Sequence, residues 1–394
     1  MRTHPVSASA VALLGLAGIV WLGGREGDGR ALVFAALAGA LFGTFLQRSR
    51  FCFLCVTRDF VQRGDARGLI GIVVALVVGV LGYHAVFGAF LPVPAPGRLP
   101  PGAHIGPVSW VLAVGGLTFG LGMALSGACV SAHLYRLGEG SLLAPAALVG
   151  VLAGFGLGFA SWNPLYLMSI QQAPVIWLPH HLGYAGSLAA LLLALTLLGT
   201  WLLRRNRVAW HEPHAARPCG LRETLFGARW PAYVGGVLIG TLGVVVYLRA
   251  FALGVTAELG SLARTGANQL GWLPERLAGL DSFAGCATLV KETLLSPNGV
   301  FVLGLVGAAF ACALAAGDFR PKRPRAGELA RALTGGVLLG WGAMVALGCT
   351  VGTLLSGVMA GAASGWIFGL TCLAGVLLGF RLRGEWRPGQ GVRG

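Results

Sequence analysis

Two short stretches far apart in the chain place a cysteine just after a glycine-containing turn and just before a helix-forming run: Ser126-Gly127-Ala128-Cys129-Val130-Ser131 and Leu347-Gly348-Cys349-Thr350-Val351-Gly352. A cysteine at the start of a helix meets unpaired backbone N–H groups and the positive end of the helix dipole. Those features stabilise a thiolate and also attract an anion. Such a site suits a small anion with a soft sulfur end, because N–H groups can hold its oxygens while a thiol meets its sulfur. Cys52, in Arg50-Phe51-Cys52-Phe53, offers a third thiol beside a basic residue. A single cysteine in an apolar segment is ordinarily a small filler. Cys129 and Cys349 differ in occupying equivalent positions of an internal repeat.

Around these cysteines lie further polar residues. Arg50, Gly127, Gly348 and Thr350 flank the three turns, and His133, Tyr135, Arg136 and Glu139 follow Cys129. Arg136 and Glu139 are three apart and can pair on one helical face, either bracing a short helix or gating its mouth. Cys52 and Cys55 form a C-x-x-C pair, the spacing of a redox dithiol or of half a zinc site. No second C-x-x-C or spaced histidine pair completes a zinc site. No metal or other cofactor is expected. His180 and His181 read as loop residues, and Lys291 with Glu292 as an outer vestibule or an interfacial ion pair.

The elements that position these residues must be membrane helices. The chain is 56% hydrophobic and only 11% charged, where a soluble domain is about 25% charged. Its mean hydropathy is +0.76. Runs of largely uncharged residues long enough to cross a hydrocarbon core of about 30 Å lack strand alternation. A net charge of +15 could suggest nucleic acid, but the basic residues sit in short loops between apolar runs and read as topology signals. Spans are expected at 6–23, 31–47, 68–91, 108–126, 142–161, 184–203, 231–248, 298–316, 332–348 and 362–380. The excess of basic residues in alternate loops puts both termini in the cytoplasm. The loop from Trp162 to Gly183 has no Lys or Arg, as an external loop should.

Gly115, Gly116, Gly120, Gly122, Cys129 and Leu134 recur 220 positions on as Gly335, Gly336, Gly340, Gly342, Cys349 and Leu354. Arg50, Leu54, Val56, Thr57 and Asp59 recur as Arg249, Leu253, Val255, Thr256 and Glu258, each block preceded by a Gly-Thr pair, Gly43-Thr44 and Gly240-Thr241. Cys52 falls opposite Phe251. Each copy holds four spans, and one helix between them inverts the second copy. Inverted repeats with discontinuous helices at their interface belong to transporters. The fold expected is an all-α integral membrane protein of about ten transmembrane helices, with four short re-entrant helices near 50–60, 127–140, 249–262 and 349–361. The chain divides into an extra N-terminal helix and loop (1–30), a first repeat (31–183), a linking helix and basic loop (184–230) and a second repeat with a basic tail (231–394). The first two re-entrant segments enter from the cytoplasm and the last two from outside, so that their tips meet.

At these residues the sequence resembles the YeeE/YedE family of membrane transporters. The matching stretches are Arg48-Ser49-Arg50-Phe51-Cys52-Phe53 with Arg58-Asp59, then Gly127 through Gly140, then Gly348 through Gly357 with Ser364-Gly365-Trp366. The resemblance implies a bacterial inner-membrane protein for thiosulfate uptake, with nine spans and four re-entrant helices in an hourglass arrangement, so that the first helix here is additional. It implies that three cysteines pass the anion inward by transient S–H to sulfur hydrogen bonds, roles that map onto Cys129, Cys349 and Cys52. It further implies surrounding lipid and a small cytosolic sulfur carrier of the TusA type as partners, and no nucleic acid. Ala128 stands where the family often has glycine, and Cys55 is a thiol the family pattern does not require. Some members are associated with selenium, so another sulfur or selenium cargo stays open, as does a thiol oxidoreductase or sulfurtransferase built on Cys52 and Cys55. No nucleotide-binding motif is present.

Overall fold

The computed structural model describes residues 5–384 apart from 96, 209–227, 251, 275, 281–282, 284–287, 292, 294 and 322. Phe251 and Glu292 therefore lie outside the described residues. Long apolar runs with internally satisfied backbones form helices at each expected position. They are α1 (Pro5–Gly23), α2 (Gly29–Ser49), α4 (Arg67–Phe90), α5 (Trp110–Ser126), α7 (Leu143–Met168), α8 (Leu178–Arg205), α9 (Ala232–Arg249), α11 (Pro297–Ala316), α12 (Ala326–Val345) and α14 (Ala363–Leu382). Between them lie α3 (Phe53–Arg63), α6 (Val130–Gly138), α10 (Thr256–Gln269) and a π-helical segment, Thr350–Ser356, running into the single turn α13 (Gly357–Met359). No strand occurs among the described residues; Trp177 and Ala362 make an isolated bridge.

Among the described residues eight helical stretches are long and apolar enough to cross a membrane, α2 with α3 and α5 with α6 each counting as one. Helix α12 carries Glu328 and Arg331 in its first turns and qualifies only together with Thr350–Met359, to which it is bent by 43°. The apolar part of α1, Ser7–Gly23, is shorter. This is a multi-pass, all-helical membrane protein. The segment read as the external loop 162–183 is mostly helical: α7 runs on to Met168, and α8 starts at Leu178 with a kink at Gly183.

Without a hydrophobic force between helices in lipid, close backbone approach at small residues holds the bundle together. The principal pairings are α7 with α12, α5 with α14, α5 with α12, α2 with α11 and α4 with α9. A Cβ on Gly122 would lie 2.7 Å from Gly335 O, and one on Gly342 would lie 2.6 Å from Gly115 O. These contacts exchange when each residue is replaced by the one 220 positions away. Similarly, with an offset of 221 between the α7 and α14 members, Gly120 abuts Cys372 as Gly340 abuts Val151, and Gly375 abuts Leu117 as Gly154 abuts Val337. A pattern in which i touches j′ and j touches i′ is that of an isologous, two-fold interface.

Candidate functional site

Helix α2 stops where Arg50 takes a left-handed conformation, φ 50°. Cys52 is then extended and serves as the N-cap of α3. Helix α5 stops at Gly127, φ 88°, and after Ala128 the extended Cys129 is the N-cap of α6. Helix α12 stops through Leu347 (φ 56°) and Gly348 (φ 155°), and Cys349 caps the π-helical segment, its carbonyl accepting from the N–H groups of Thr353 and Leu354 at 2.8 and 3.2 Å. A Cβ at Gly348 would strike Thr353 Oγ1, so glycine is required there by contact as well as by conformation. All three cysteines thus sit at helix starts, and all three are buried, at 0, 2 and 1% exposure for Cys52, Cys129 and Cys349.

The helix starts at Cys129 and at Thr350 share one small cavity. Cys129 and Ser131 line one side, Thr350 and Val351 the other, with Phe42 and Phe51 among the walls. The space open to the centre of a water-sized sphere is about 30 Å³, room for only a few waters. Cys129 Sγ lies 3.3 Å from Ser131 Oγ. The Cys52 thiol interacts with those of Cys129 and Cys55. The described cysteines are free thiols.

His133 braces the turn that presents Cys129. Ser126 Oγ donates to Ala128 O at 3.1 Å, so it accepts from His133 Nε2 at 3.1 Å. Arg136 does not make the expected pair with Glu139. Its guanidinium turns back and donates to Gly127 O and Cys55 Sγ, both at 3.0 Å. The carbonyl at the end of α5 is a fixed partial negative charge, and it captures the arginine that spacing alone would assign to the carboxylate. Glu139 instead accepts from Gln47 Nε2 at 3.4 Å, and burial pushes its carboxyl above the usual range. Arg50 is exposed; its contribution is the turn its backbone makes and a charge felt at Glu139.

Two features escaped the sequence reading. Cys55 was noted only as half of a C-x-x-C, and its contact with Arg136, 81 positions on, has no local signature. Lys291 pairs with Glu258 of α10, which aligns with Asp59, and its ammonium also donates to Ser296 Oγ at 2.6 Å. The two charged side chains are only 11 and 5% exposed. The pairing of Asp59 with Glu258 across the repeats was the signal available.

Two openings flank the cysteines. One lies between the segment before α5 and the turn after α12, lined by His104, Ser109, Leu347, Thr353 and Ser364. The other is a wide cleft of about 660 Å³ at the ends of α6 and α11, lined by Arg136, Glu139, Asp318, Arg320, Arg323 and Arg325 among others.

Known proteins are similar to this sequence over most of its length. The family described as sulphur transport matches residues 48–378. The thiosulfate transporter TsuA of Escherichia coli is 30% identical over 359 residues, covering 84% of this chain and 88% of that protein. The thiosulfate transporter TsuA of Spirochaeta thermophila is 27% identical over 362 residues, covering 86% and 95%. These names describe a transporter and not an enzyme. With helical spans and cysteine-bearing turns in place across the matched region, the chain belongs to the sulphur-transport, or YeeE/YedE, family of membrane transporters.

Proposed function

We propose that this chain imports thiosulfate through a pathway lined by Cys349, Cys129 and Cys52. The observation that carries the reading is the shared cavity between the turns of the two halves, with a cysteine at the head of the helical segment on each side. The names of the two relatives supply the cargo. Each thiol offers a weak S–H donor to the terminal sulfur, and the N–H groups of α6 and of the Thr350–Ser356 segment face the oxygens. Such a pairing of thiol and N–H groups recognises both ends of a thiosulfate ion, and Cys129 is the thiol that lines the cavity itself. With only a few waters' worth of space, the state described is closed. Passage requires the tips to part, and Gly127, Gly348 and Thr350 set the turns about which they do so.

The proposed frame is the ten-span topology: two inverted repeats, 31–183 and 231–394, with the short helices re-entrant and residues 1–30 and 184–230 outside the repeat. Supporting it are the contacts that exchange between residues 220 apart. Both termini face the cytoplasm of a bacterial inner membrane, and a TusA-like carrier receives the cargo there. A dianion moving toward a negative interior costs about 2.3 kcal/mol per charge per 100 mV. Uptake therefore needs a coupled ion or rapid consumption inside.

The test is uptake of radiolabelled thiosulfate into proteoliposomes by the full chain and by Cys129→Ala and Cys349→Ala variants of equal folded yield. The expected outcome is uptake by the wild type that falls to background in both variants. Undiminished uptake in either variant would remove that cysteine from the pathway.

A further inference from the structure

The thiols do not end at Cys52. Cys55 lies one helical turn further along α3, its sulfur interacts with that of Cys52, and the Arg136 guanidinium donates to it at 3.0 Å. Arg136 is at the same time a wall of the 660 Å³ cleft, together with Arg320, Arg323 and Arg325 from the connection between α11 and α12. The carboxylates of that cleft are engaged. Asp318 accepts from Gln47 and pairs with Arg229, Glu139 accepts from the same Gln47, and Glu328 accepts from the Arg325 backbone. From the closed cavity to the cleft the order is Cys129, Cys52, Cys55, Arg136.

We infer that Cys55 and Arg136 form an exit site for the transported anion, the last place where a thiol and a fixed cation hold it before the arginine-lined cleft. The inference rests on the import reading above and adds a fourth thiol to it. The chemistry of the pair is divided as the anion is. A thiol suits the terminal sulfur, and a planar guanidinium can present two parallel N–H donors to the oxygens. Arg136 also covers the Gly127 carbonyl, which would otherwise turn its negative end toward an anion leaving Cys129. On the cleft side the three further arginines lower the energy of the released anion without enclosing it, since the cleft is wide and open. Cys55 is partly exposed, whereas Cys52 and Cys129 are buried, as suits a residue between a closed pathway and water.

The test labels the full-length chain in sealed vesicles from the face bearing the cleft with an anionic methanethiosulfonate, and maps modified cysteines by peptide mass spectrometry, with and without thiosulfate. Cys55 is expected to react, and saturating thiosulfate to slow the reaction roughly tenfold or more, as a charge-assisted site would. Protection should vanish in Arg136→Gln and persist in part in Arg136→Lys, which keeps the charge. Cys55→Ala, folded as judged by monodisperse elution, should take up thiosulfate more slowly than wild type. Uptake by the wild type with no protection at Cys55, and unaltered uptake by Cys55→Ala, would overturn the exit site and leave import standing. Protection at Cys55 without net uptake would overturn import and leave the site.

Discussion

Gly122 and Gly342 make a quantitative test of the packing that brings the two halves together. A Cβ added to Gly122 would sit 2.7 Å from both Gly335 O and Leu339 N, and one added to Gly342 would sit 2.6 Å from Gly115 O and 2.8 Å from Phe119 N. Ordinary contact begins at 3.4 Å, so α5 and α12 must separate by about 0.7 Å, and the neighbours are backbone that cannot rotate away. Overpacking of that kind costs about 1–3 kcal/mol, against which alanine recovers roughly 0.5–1 kcal/mol of helix propensity. Gly156→Ala on α7 is the control, since its Cβ meets nothing within 4 Å. The assay is reversible unfolding in mixed micelles titrated with sodium dodecyl sulfate. Gly122→Ala and Gly342→Ala should each be destabilised relative to Gly156→Ala by about 1–3 kcal/mol. They should also agree with each other to within about 0.5 kcal/mol. Costs no larger than the control's would refute the close approach, and unequal costs would refute the two-fold exchange.

Three other outcomes follow from single sites. Gly127→Ala has open space around its Cβ, so its penalty is the left-handed backbone alone, about 1–2 kcal/mol, read in the same micelle titration; a neutral result would sink the claim that this turn needs glycine. Lys291→Ala strands the buried Glu258 carboxylate and should cost about 3–5 kcal/mol, much of it recovered in a Lys291→Ala/Glu258→Ala double variant; purely additive losses in that cycle would show no coupling. His104, in the segment between α4 and α5, is pushed down to about 4 by burial. Its folded-state pKa lies below the unfolded value of about 6.5, so the stabilisation is complete above about 6.5 and is lost as pH falls toward 4, by about 3 kcal/mol in all. The melting midpoint should therefore drop between pH 7 and pH 5 by more in wild type than in His104→Gln, and an equal drop would exclude this histidine.

The helical positions and the glycine contacts between helices were legible because both are written in local residue type. Apolar runs declare helices, and glycines at a fixed offset declare where backbones touch. The cysteine turns were legible for the same reason: Gly127-Ala128-Cys129 and Gly348-Cys349 interrupt apolar runs with residues that end helices. Side-chain partners were not legible. Arg136 turns to Gly127 and Cys55 because a helix-end carbonyl and a thiol from another segment converge on it, and Lys291 reaches Glu258 across 33 positions. Nothing in the spacing of Arg136 and Glu139 reports the carbonyl nearby. The extent of α7 and α8 was missed because their outer turns, from Trp162 to Met168 and from Leu178 to Gly183, carry polar residues and prolines that read as loop.

The pairing of α5 with α14 has a consequence for how the protein is made. The groove at Gly120 is filled by Cys372 and the groove at Gly375 by Leu117, so the partners of α5 lie about 250 residues downstream. At about 5–20 residues per second of synthesis, α5 waits on the order of tens of seconds in the bilayer before its surface is complete. Over that interval lipid tails must line its glycine stripe, and the final helix has to displace them. Docking of α14 is thus a late step of assembly, and truncations that spare Cys52, Cys129 and Cys349 but remove α14 should leave a chain that inserts without forming its central interface.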